Sequence, residues 1–352
     1  MNINTLKVTD SRSNEVDPSN IQFGKSYSDH MLIADCINGI WQEPQILPYG
    51  NISMSPATTF IHYGQSLFEG IKAYKNDEGE VSIFRPHDNW ARFNVSAERM
   101  AMPHVPEDIF IQGMKHLIEL DKDWVPTAEG SSLYIRPFMF ATDEFIGVKP
   151  AENFRFMIIT SPAGAYYNKP TRIYVQKKYV RAFPGGIGFT KAAGNYGACM
   201  LPTLETRNLG YDQILWTDGV QHKYVQEIGT MNVFFVLGDK IITPDLSEGT
   251  ILAGVTRDSV IKLLKERGLK VEERPLAIDE ILESHRKGEL KEAFGTGTAA
   301  VIAPIAELFY EGETIMLPEE STWEISSWLK KELIDIRYGK VSDRHHWMYK
   351  VC

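Results

Sequence analysis

The sequence predicts an α+β fold in two halves that meet near residue 170. Residues 23–84 show short apolar segments broken by Pro and Gly, which is the pattern of strands joined by turns. Residues 163–170 are dense in small residues, Tyr and Pro, and the strand pattern breaks off there. At 352 residues the chain is long enough for two domains of roughly 100–200 residues each. We therefore expect a small N-terminal α/β domain over residues 1–165, an interdomain linker over 166–180 and a large C-terminal domain over 181–352.

The first long helix is predicted to open at Pro86, because proline suits the first helical turn. Trp90, Phe93, Ala97 and Met100 follow it at helical spacing. The remaining elements are predicted from the same kinds of pattern. In chain order they are a helix near 106–120, strands at 133–140, 154–159, 172–176, 212–217, 231–237 and 240–243, and helices at 257–267, 278–286 and 322–331.

Composition and charge argue against several classes of protein. The chain is 43% hydrophobic and 24% charged, as soluble globular proteins are. A net charge of -9 argues against nucleic acid or an anionic membrane as the main partner. No apolar run approaches the roughly 20 residues of a membrane span. Three widely spaced cysteines indicate neither a disulfide framework nor a metal site, and the N-terminus lacks the apolar core of a signal peptide, so we expect a cytoplasmic protein.

Lys191 is the one charged residue between Arg181 and Glu205, and its neighbours in sequence are small, apolar or neutral. Partial burial would lower the pKa of its amine and leave the amine nucleophilic. That is the property that a Schiff-base lysine needs. The stretch alone favours a simpler alternative, a solvent-exposed lysine in a glycine loop.

Two glycine-containing turns could bind phosphate. Gly254 precedes a predicted helix, and Thr256 is placed where an N-cap would be, so the positive end of the helix could receive an anion. In the second turn, glycines 295 and 297 alternate with Thr296 and Thr298, which would allow close backbone approach and hydroxyl contacts. An ordinary capped helix and an ordinary strand-to-loop turn remain the alternatives.

Glu227 lies at the entrance of an apolar strand, where a carboxylate could hold a protonated heterocyclic nitrogen. The alternative is a strand-end acid in solvent. Taken together, an isolated lysine, two phosphate-competent turns and such an acid are the parts that a pyridoxal phosphate site requires. Signatures of Walker, Rossmann, zinc-protease and nucleophile-elbow sites are absent from the sequence.

Several motifs in one order make the chain resemble the branched-chain amino acid aminotransferases, which have pyridoxal 5′-phosphate fold type IV, the fold of the D-amino acid aminotransferases. The resemblance runs from about Phe23 to Tyr338. The segments that carry it are Phe23-Gly24, Ser28-Asp29-His30-Met31, residues 62–74, Phe84-Arg85-Pro86, Tyr134-Ile135-Arg136-Pro137, residues 185–197, residues 227–232, Gly254-Val255-Thr256-Arg257 and residues 294–299.

The resemblance implies a role for each matching residue of a pyridoxal 5′-phosphate site in the C-terminal domain. Lys191 would form the Schiff base and shuttle the proton between the amino acid Cα and the cofactor. Glu227 would keep the ring nitrogen protonated, and Tyr196 would hydrogen-bond the phenolic oxygen. Thr230 would be a further cofactor contact. The phosphate would be held by Arg92, Thr256, Thr298 and the Val255 amide, although the sequence alone would make Arg92 a solvated arginine.

For the substrate, the resemblance implies an aromatic pocket that suits leucine, isoleucine and valine. Its wall would be formed by Phe23, Tyr63, Phe68, Tyr134 and Tyr166. Arg136 would help the pocket to accept glutamate, and the Thr298 and Ala299 amides would take the α-carboxylate. The reaction would be a reversible ping-pong transfer to 2-oxoglutarate that gives branched 2-oxo acids and L-glutamate, and the family implies a homodimer.

Two other functions stay open at this point. The first keeps the fold and changes the chemistry to that of a D-amino acid aminotransferase or an aminodeoxychorismate lyase. Those relatives are shorter and lack the Tyr134–Pro137 motif and the long signature of residues 63–74. The second is a non-catalytic phosphate- or nucleotide-binding module that uses the glycine turns and holds no covalent cofactor.

Overall fold

The computed structural model describes residues 2–17, 20–164 and 169–352. Its contacts define two compact units. The first unit takes in the described residues up to 164, Thr190–Gly194 and Ile334–Cys352, and the second takes in residues 169–189 and Asn195–Leu333. The contiguous domain ranges expected from sequence stay a prediction, and residues 165–168 of the expected connection lie outside the described part of the chain.

The first unit is built on a sheet of short, largely antiparallel strands. Its strands are β1 Asn4–Thr5, β2 His30–Ile37, β3 Ile40–Trp41, β4 Gln45–Pro48, β5 Ser66–Phe68, β6 Ile71–Lys75, β7 Val81–Phe84, β8 Ser132–Ala141, β9 Phe154–Ala163 and, from the end of the chain, Met348–Lys350. In the described residues the sheet order is β1-β4-β2-β9-β8-β6-β7 and then Met348–Lys350, with β3 paired to β2 and β5 paired to β8. The longest pairing, β8 with β9, runs from Ser132 opposite Ala163 to Ala141 opposite Phe154.

Helices α1 Thr59–Tyr63, α2 Pro86–Arg99 and α3 Gly113–Leu120 belong to the same unit. Helix α2 opens at Pro86 as predicted, directly after Arg85, whose backbone is left-handed with φ 48°. Phe93 and Ala97 of this helix are fully buried, while Val95 is 50% exposed. The apolar spacing along the sequence therefore identified the face of α2 that packs on the sheet.

The helix expected over 106–120 is not one regular α-helix. Residues Asp108–Gln112 form a π-helical turn, and α3 starts only at Gly113. Ile109, Phe110 and Ile111 are 5%, 0% and 1% exposed, so three consecutive side chains are buried. A regular α-helix spreads three consecutive side chains over about 200° of its circumference. The segment in which all three side chains are buried is the one that forms the wider π-helical turn.

Three aromatic rings, two stacked on each other and the third edge-on to both, form the centre of the first core. The ring centre of Phe93 lies 5.4 Å from that of Phe110 and 5.5 Å from that of Phe156. The ring centres of Phe110 and Phe156 are 5.6 Å apart. All three are fully buried. They join α2, the π-turn and β9, so the helix that carries Arg92 is fixed to the sheet by a packed aromatic cluster.

The second unit contains a mixed sheet. Its strands are β10 Thr171–Val175, β11 Gln213–Thr217, β12 Val225–Ile228, β13 Asn232–Leu237, β14 Lys240–Thr243, β15 Lys270–Glu273, β16 Leu290–Gly297, β17 Val301–Tyr310 and β18 Glu313–Met316, so the terminal strand Met348–Lys350 is β19. In the described residues the order is β12-β11-β10-β17-β16-β13-β14-β15, with β18 paired to β17. The other helices are α4 Ala193–Gly197, α5 Met200–Asn208, α6 Val255–Glu266, α7 Ile278–Arg286 and α8 Glu324–Arg337.

Most elements begin and end close to their predicted positions, and the α+β class is confirmed. The prediction for the last helix was wrong in its bounds, since 322–331 was expected and α8 occupies Glu324–Arg337. Its start is capped from a distance, because the buried carboxylate of Glu292 accepts the Ile325 and Ser326 N–H groups at 2.9 and 2.8 Å. Among the helices of the described residues, none combines the length and the apolar character that crossing a membrane requires.

We expect Phe93→Ala to destabilise the protein by about 3–5 kcal/mol, because it removes the ring that joins α2 to Phe110 and Phe156 and leaves a cavity. Val95→Ala, on the exposed side of the same helix, should change stability by no more than about 0.5 kcal/mol. Urea unfolding of both variants measures the difference. Equal losses for the two would contradict this description of the core.

Candidate active site

The N–H and the carbonyl of Lys191 both form hydrogen bonds with other residues of the first unit. Its N–H donates to the Ser96 Oγ at 3.1 Å, and its carbonyl accepts the Phe68 N–H at 3.1 Å. Ala192 forms an isolated β-bridge with Leu67. Lys191 is half-buried, and its Nζ lies 4.7 Å from the centre of the Phe68 ring. The simpler alternative, a solvent-exposed lysine in a glycine loop, is therefore wrong.

The Phe68 ring also packs against the guanidinium of Arg136. The Arg136 guanidinium carbon lies 4.4 Å from the centre of the Phe68 ring and 5.2 Å from that of Tyr134. Arg136 Nη2 donates to the Tyr134 hydroxyl at 2.8 Å. A Cβ placed on Gly70 would come within 2.4 Å of that hydroxyl, so only glycine leaves room for the phenol in this position.

Of the other predicted substrate residues, Phe23 packs edge-on against Tyr134 with ring centres 4.9 Å apart. Tyr63, at the end of α1, is 44% exposed. Tyr166 lies outside the described residues. The structure thus brings Phe23, Phe68, Tyr134 and Arg136 into one connected group.

A cavity of about 350 Å³ opens beside Phe68 and Arg136. Its wall is largely apolar, and most of it comes from residues that the sequence analysis did not name. The lining residues are Ile52, Met54, Phe60, Ser66, Leu67, Phe68, Arg136, Phe138, Met139, Phe140, Ile159 and Ala193. Such a wall suits an aliphatic side chain, and Arg136 is the one cationic group in it.

Arg92 is not the solvated arginine that its sequence position suggested. Its side chain is 10% exposed and forms two parallel bonds with Glu69, Nε to Oε1 at 2.7 Å and Nη2 to Oε2 at 2.8 Å. Asn89 Oδ1 accepts a further bond from Nη2 at 3.3 Å. Glu69 is fully buried. The carboxylate fixes the plane of the guanidinium and so sets the direction in which Arg92 can meet an anion.

Lys72 is a buried lysine that the sequence analysis did not single out. It is 5% exposed, and burial, followed by the nearby charge of Arg337, lowers the pKa of its amine to about 7. Lys72 pairs with Tyr134 across β6 and β8, so both side chains lie on the same face of the sheet. An amine with a lowered pKa therefore lies on the face that carries Tyr134 and Arg136.

In the second unit, Glu227 lies within β12 and is 2% exposed. Its Oε2 forms an ion pair with Arg181 Nε at 2.8 Å, and its Oε1 accepts the Leu252 N–H at 2.8 Å. The alternative of a strand-end acid in solvent is therefore wrong. Arg181 also donates to the carbonyls of Thr250 at 2.7 Å and Gly188 at 3.0 Å, so the partner of Glu227 is itself fixed by the backbone.

The N-terminus of α6 differs from the prediction by two residues. Gly254 is the N-cap with φ −68° and ψ 128°, and Val255 begins the helix, so the assignment of Thr256 as N-cap was wrong. A Cβ at Gly254 would lie 2.0 Å from the Asn232 Oδ1, which explains why glycine occupies the cap. Thr256 is buried in the first turn. The amides of such a turn and the helix dipole can bind a phosphate.

The second glycine turn lies at the end of β16, in the same unit. Thr298 and Ala299 are half-buried just after Gly297. The Oγ1 of Thr296 is buried and, among the described residues, has no hydrogen-bond partner. Tyr196, in α4, is half-buried, and Thr230, in the turn between β12 and β13, is exposed. Of the predicted cofactor residues, Lys191 and Arg92 belong to the first unit and the others to the second.

Comparison with known proteins identifies the class. Residues 66–308 match the model of the family "Amino-transferase class IV", and the chain belongs to that family. The prediction of the fold type IV architecture is thereby confirmed.

The relatives are more specific than the class. The chain is 48% identical over 347 residues to a "Probable branched-chain-amino-acid aminotransferase" of Staphylococcus aureus, covering 97% of this chain and 96% of the relative. It is 46% identical to "Branched-chain-amino-acid transaminase 1" of Bacillus subtilis, with 95% of each chain covered. The resemblance to branched-chain aminotransferases that the motifs indicated is confirmed.

A solved structure agrees with these relatives. The branched-chain amino acid aminotransferase of Escherichia coli matches this chain with a TM-score of 0.73 at 26% identity. The match covers 92% of this chain and 99% of that structure.

We expect Glu69→Ala to destabilise the protein by about 3–5 kcal/mol, because it leaves the buried Arg92 guanidinium without its counter-charge. Glu119→Ala, which removes the partner of Lys115 on the surface of α3, should cost less than about 1 kcal/mol. Urea unfolding compares the two. A loss for Glu69→Ala no larger than that for Glu119→Ala would contradict the buried-pair description.

The lowered pKa of Lys72 predicts that the free energy of unfolding depends on pH. Between pH 7 and 10.5 the unfolded chain holds a proton on Lys72 that the folded chain has lost, since the folded pKa is about 7 and the ordinary value is 10.5. Stability should therefore rise with pH across this window, by about 1 kcal/mol per pH unit from this group, and should gain nothing from it below pH 7.

Lys72→Met should remove this increase and should be more stable than the original protein at pH 7. Urea unfolding at pH 7, 8, 9 and 10 measures the difference between the two proteins. Lys291→Met, at an exposed lysine of β16, serves as the control and should keep the original slope. Parallel slopes for the original protein and Lys72→Met would contradict the lowered pKa.

Proposed function

We propose that this protein is a branched-chain L-amino acid aminotransferase that uses pyridoxal 5′-phosphate bound at Lys191. In this reaction leucine, isoleucine or valine gives up its amino group and leaves as a 2-oxo acid. 2-Oxoglutarate then takes up the amino group and leaves as L-glutamate, in a reversible ping-pong cycle. The observation that carries the proposal is the near-full-length identity of 46–48% to branched-chain aminotransferases.

The residues present fit the cofactor by their chemistry. The 12-residue helix α6 offers first-turn amides and the buried Thr256 to a phosphate, and the orphaned Oγ1 of Thr296 lies in the second glycine turn. We assign the phosphate to Arg92, Thr256, Thr298 and the Val255 amide. Arg92 can contribute a fixed guanidinium edge because Glu69 holds its plane.

When bound, pyridoxal 5′-phosphate supplies an aldehyde that takes up the amino group and a ring that withdraws electrons from the substrate Cα. Lys191 would hold the cofactor through its amine and would carry the proton at the substrate Cα. Glu227 accepts a hydrogen bond from the protonated ring nitrogen. A carboxylate can accept about four hydrogen bonds, so an ion-paired carboxylate can still serve a ligand N–H. Tyr196 donates to the phenolic oxygen, and Thr230 makes a further contact.

For substrate binding we assign the apolar side chain to the wall formed by Phe23, Tyr63, Phe68, Tyr134 and Tyr166. The cavity beside Phe68 supports an aliphatic occupant, since most of its lining is apolar. Arg136 meets the side-chain carboxylate of glutamate in the second half of the cycle. It can do so because Phe68 and the Tyr134 hydroxyl already fix its guanidinium. The Thr298 and Ala299 amides take the α-carboxylate.

We further propose a homodimer in the cytoplasm. Exposed apolar side chains support association with a second copy. Ile146 and Val148 in the loop after β8 are 70% and 89% exposed, and Met200 and Leu204 on α5 are 66% and 58% exposed. No further partner is needed for the reaction, whose substrates are small molecules.

A substrate panel tests the function. The purified protein, supplied with pyridoxal 5′-phosphate and 2-oxoglutarate, should convert L-leucine, L-isoleucine and L-valine and produce L-glutamate. Lys191→Ala should lower kcat by at least about 10³-fold, because it removes both the attachment point and the proton carrier. Lys223→Ala is the matched control, since Lys223 also lies over an aromatic ring, that of Tyr224 at 5.3 Å, and it should keep its activity.

Three results would contradict the proposal. Preference for D-alanine over L-leucine would make the protein a D-amino acid aminotransferase. Unchanged turnover in Lys191→Ala would remove Lys191 from the reaction. No amino transfer with any of these substrates, together with no cofactor bound, would favour the phosphate-binding module.

A further inference from the structure

Ser96 connects the segment of Lys191 to the helix of Arg92. Ser96 lies in α2, one turn after Arg92, and it is fully buried. Its Oγ accepts the Lys191 N–H at 3.1 Å and also lies 3.1 Å from the Arg92 carbonyl. These two contacts join a loop and a helix that are about a hundred residues apart in sequence.

The direction of both bonds follows from the chemistry of the groups. The Lys191 N–H can only donate and the Arg92 carbonyl can only accept. The single hydroxyl hydrogen must therefore point at the Arg92 carbonyl, which leaves an oxygen lone pair for the Lys191 N–H. The bond to the helix carbonyl fixes the orientation of the Ser96 hydroxyl, so its oxygen is already oriented to accept the Lys191 N–H.

The contacts of Ser96 complete a closed ring in the first unit. The Lys191 N–H binds Ser96, whose hydroxyl binds the carbonyl of Arg92. The Arg92 side chain pairs with Glu69, and Phe68, the residue before Glu69, donates its N–H to the Lys191 carbonyl. The backbone of Lys191 is thus fixed at both its N–H and its carbonyl. None of these bonds uses the amine.

We propose that Ser96 is a positioning residue for the aminotransferase reaction: its hydroxyl fixes the backbone of Lys191 against the helix that carries Arg92. This inference rests on the proposed function of Lys191 and Arg92. A fixed backbone leaves only the side chain of Lys191 to move during the cycle. The amine would then reach the cofactor from one defined backbone position, which is the advantage of preorganisation.

A purely structural role is the competing explanation, because a buried serine in a helix commonly bonds the carbonyl four residues earlier. Thr203 provides the comparison. Its Oγ1 donates to the Cys199 carbonyl, four residues earlier at the start of α5, at 2.7 Å. Thr203→Ala removes a back-bond of this kind away from Lys191.

Amide hydrogen exchange on the cofactor-free chain tests the contact directly. In Ser96→Ala the Lys191 N–H loses its acceptor, so we expect its exchange to accelerate by about tenfold to a hundredfold. Ser96→Thr keeps the hydroxyl and should remain within about threefold of the original rate. Ser96→Cys keeps nearly the same volume with a weak sulfur acceptor and should lie between these. Thr203→Ala should leave the Lys191 amide unchanged.

The second arm uses the protein loaded with pyridoxal 5′-phosphate. Ser96→Ala should attach the cofactor more slowly, as followed by visible absorbance, and should lower kcat by about tenfold with a smaller change in KM for L-leucine. Ser96→Thr should restore both rates. Thr203→Ala should change neither.

Unchanged exchange of the Lys191 amide in both Ser96→Ala and Ser96→Cys would overturn the proposal. So would faster exchange with unchanged attachment rate and kcat, since Ser96 would then be structural only. If Ser96→Ala fails to fold, Ser96→Cys decides by the same criteria. Failure of the proposed function is seen separately, as the absence of any amino transfer by the unchanged protein, whereas the exchange arm needs neither cofactor nor substrate.

Discussion

The hydrogen-bonded backbone of Lys191 is the constraint on which the part of the proposed site in the first unit depends. Five residues, Phe68, Glu69, Arg92, Ser96 and Lys191, hold one another through backbone bonds, one hydroxyl and one buried ion pair. The ring is anchored in turn, because α2 packs on the sheet through Phe93 and its aromatic neighbours. The amine that the proposed reaction would use therefore extends from a backbone that is held in place.

Each of the two units contains a buried ion pair. Arg92 pairs with Glu69 and Arg181 pairs with Glu227, and all four side chains are at most 10% exposed. Removing the charges of such a pair from water is costly, so we infer that these two pairs orient their charges for another purpose. In the proposed enzyme that purpose is to aim a guanidinium at a phosphate and a carboxylate at a ring nitrogen. Lys72 differs, because burial beside Arg337 lowers its pKa to about 7.

Local patterns predicted local structure well. Pro86 and the apolar spacing after it identified α2, and the motifs around Lys191 and Glu227 identified the family before any contact was known. The roles of Glu69, Arg181 and Ser96 could not be predicted in this way, because each depends on a partner distant in sequence. A carboxylate in the short connection between the strands Ser66–Phe68 and Ile71–Lys75 was a usable signal for Glu69. Thr256 was misplaced because spacing does not reveal that Asn232 requires a glycine at position 254.

The central claim is that Lys191 is the residue to which the cofactor attaches. The most direct test is to add pyridoxal 5′-phosphate to the purified protein, reduce it with borohydride, and locate the modified residue by peptide mass mapping. We expect one pyridoxyl group per chain, on Lys191, and loss of the label when L-leucine is added before reduction. Labelling of Lys72 or of surface lysines in place of Lys191, or labelling that L-leucine does not affect, would contradict it.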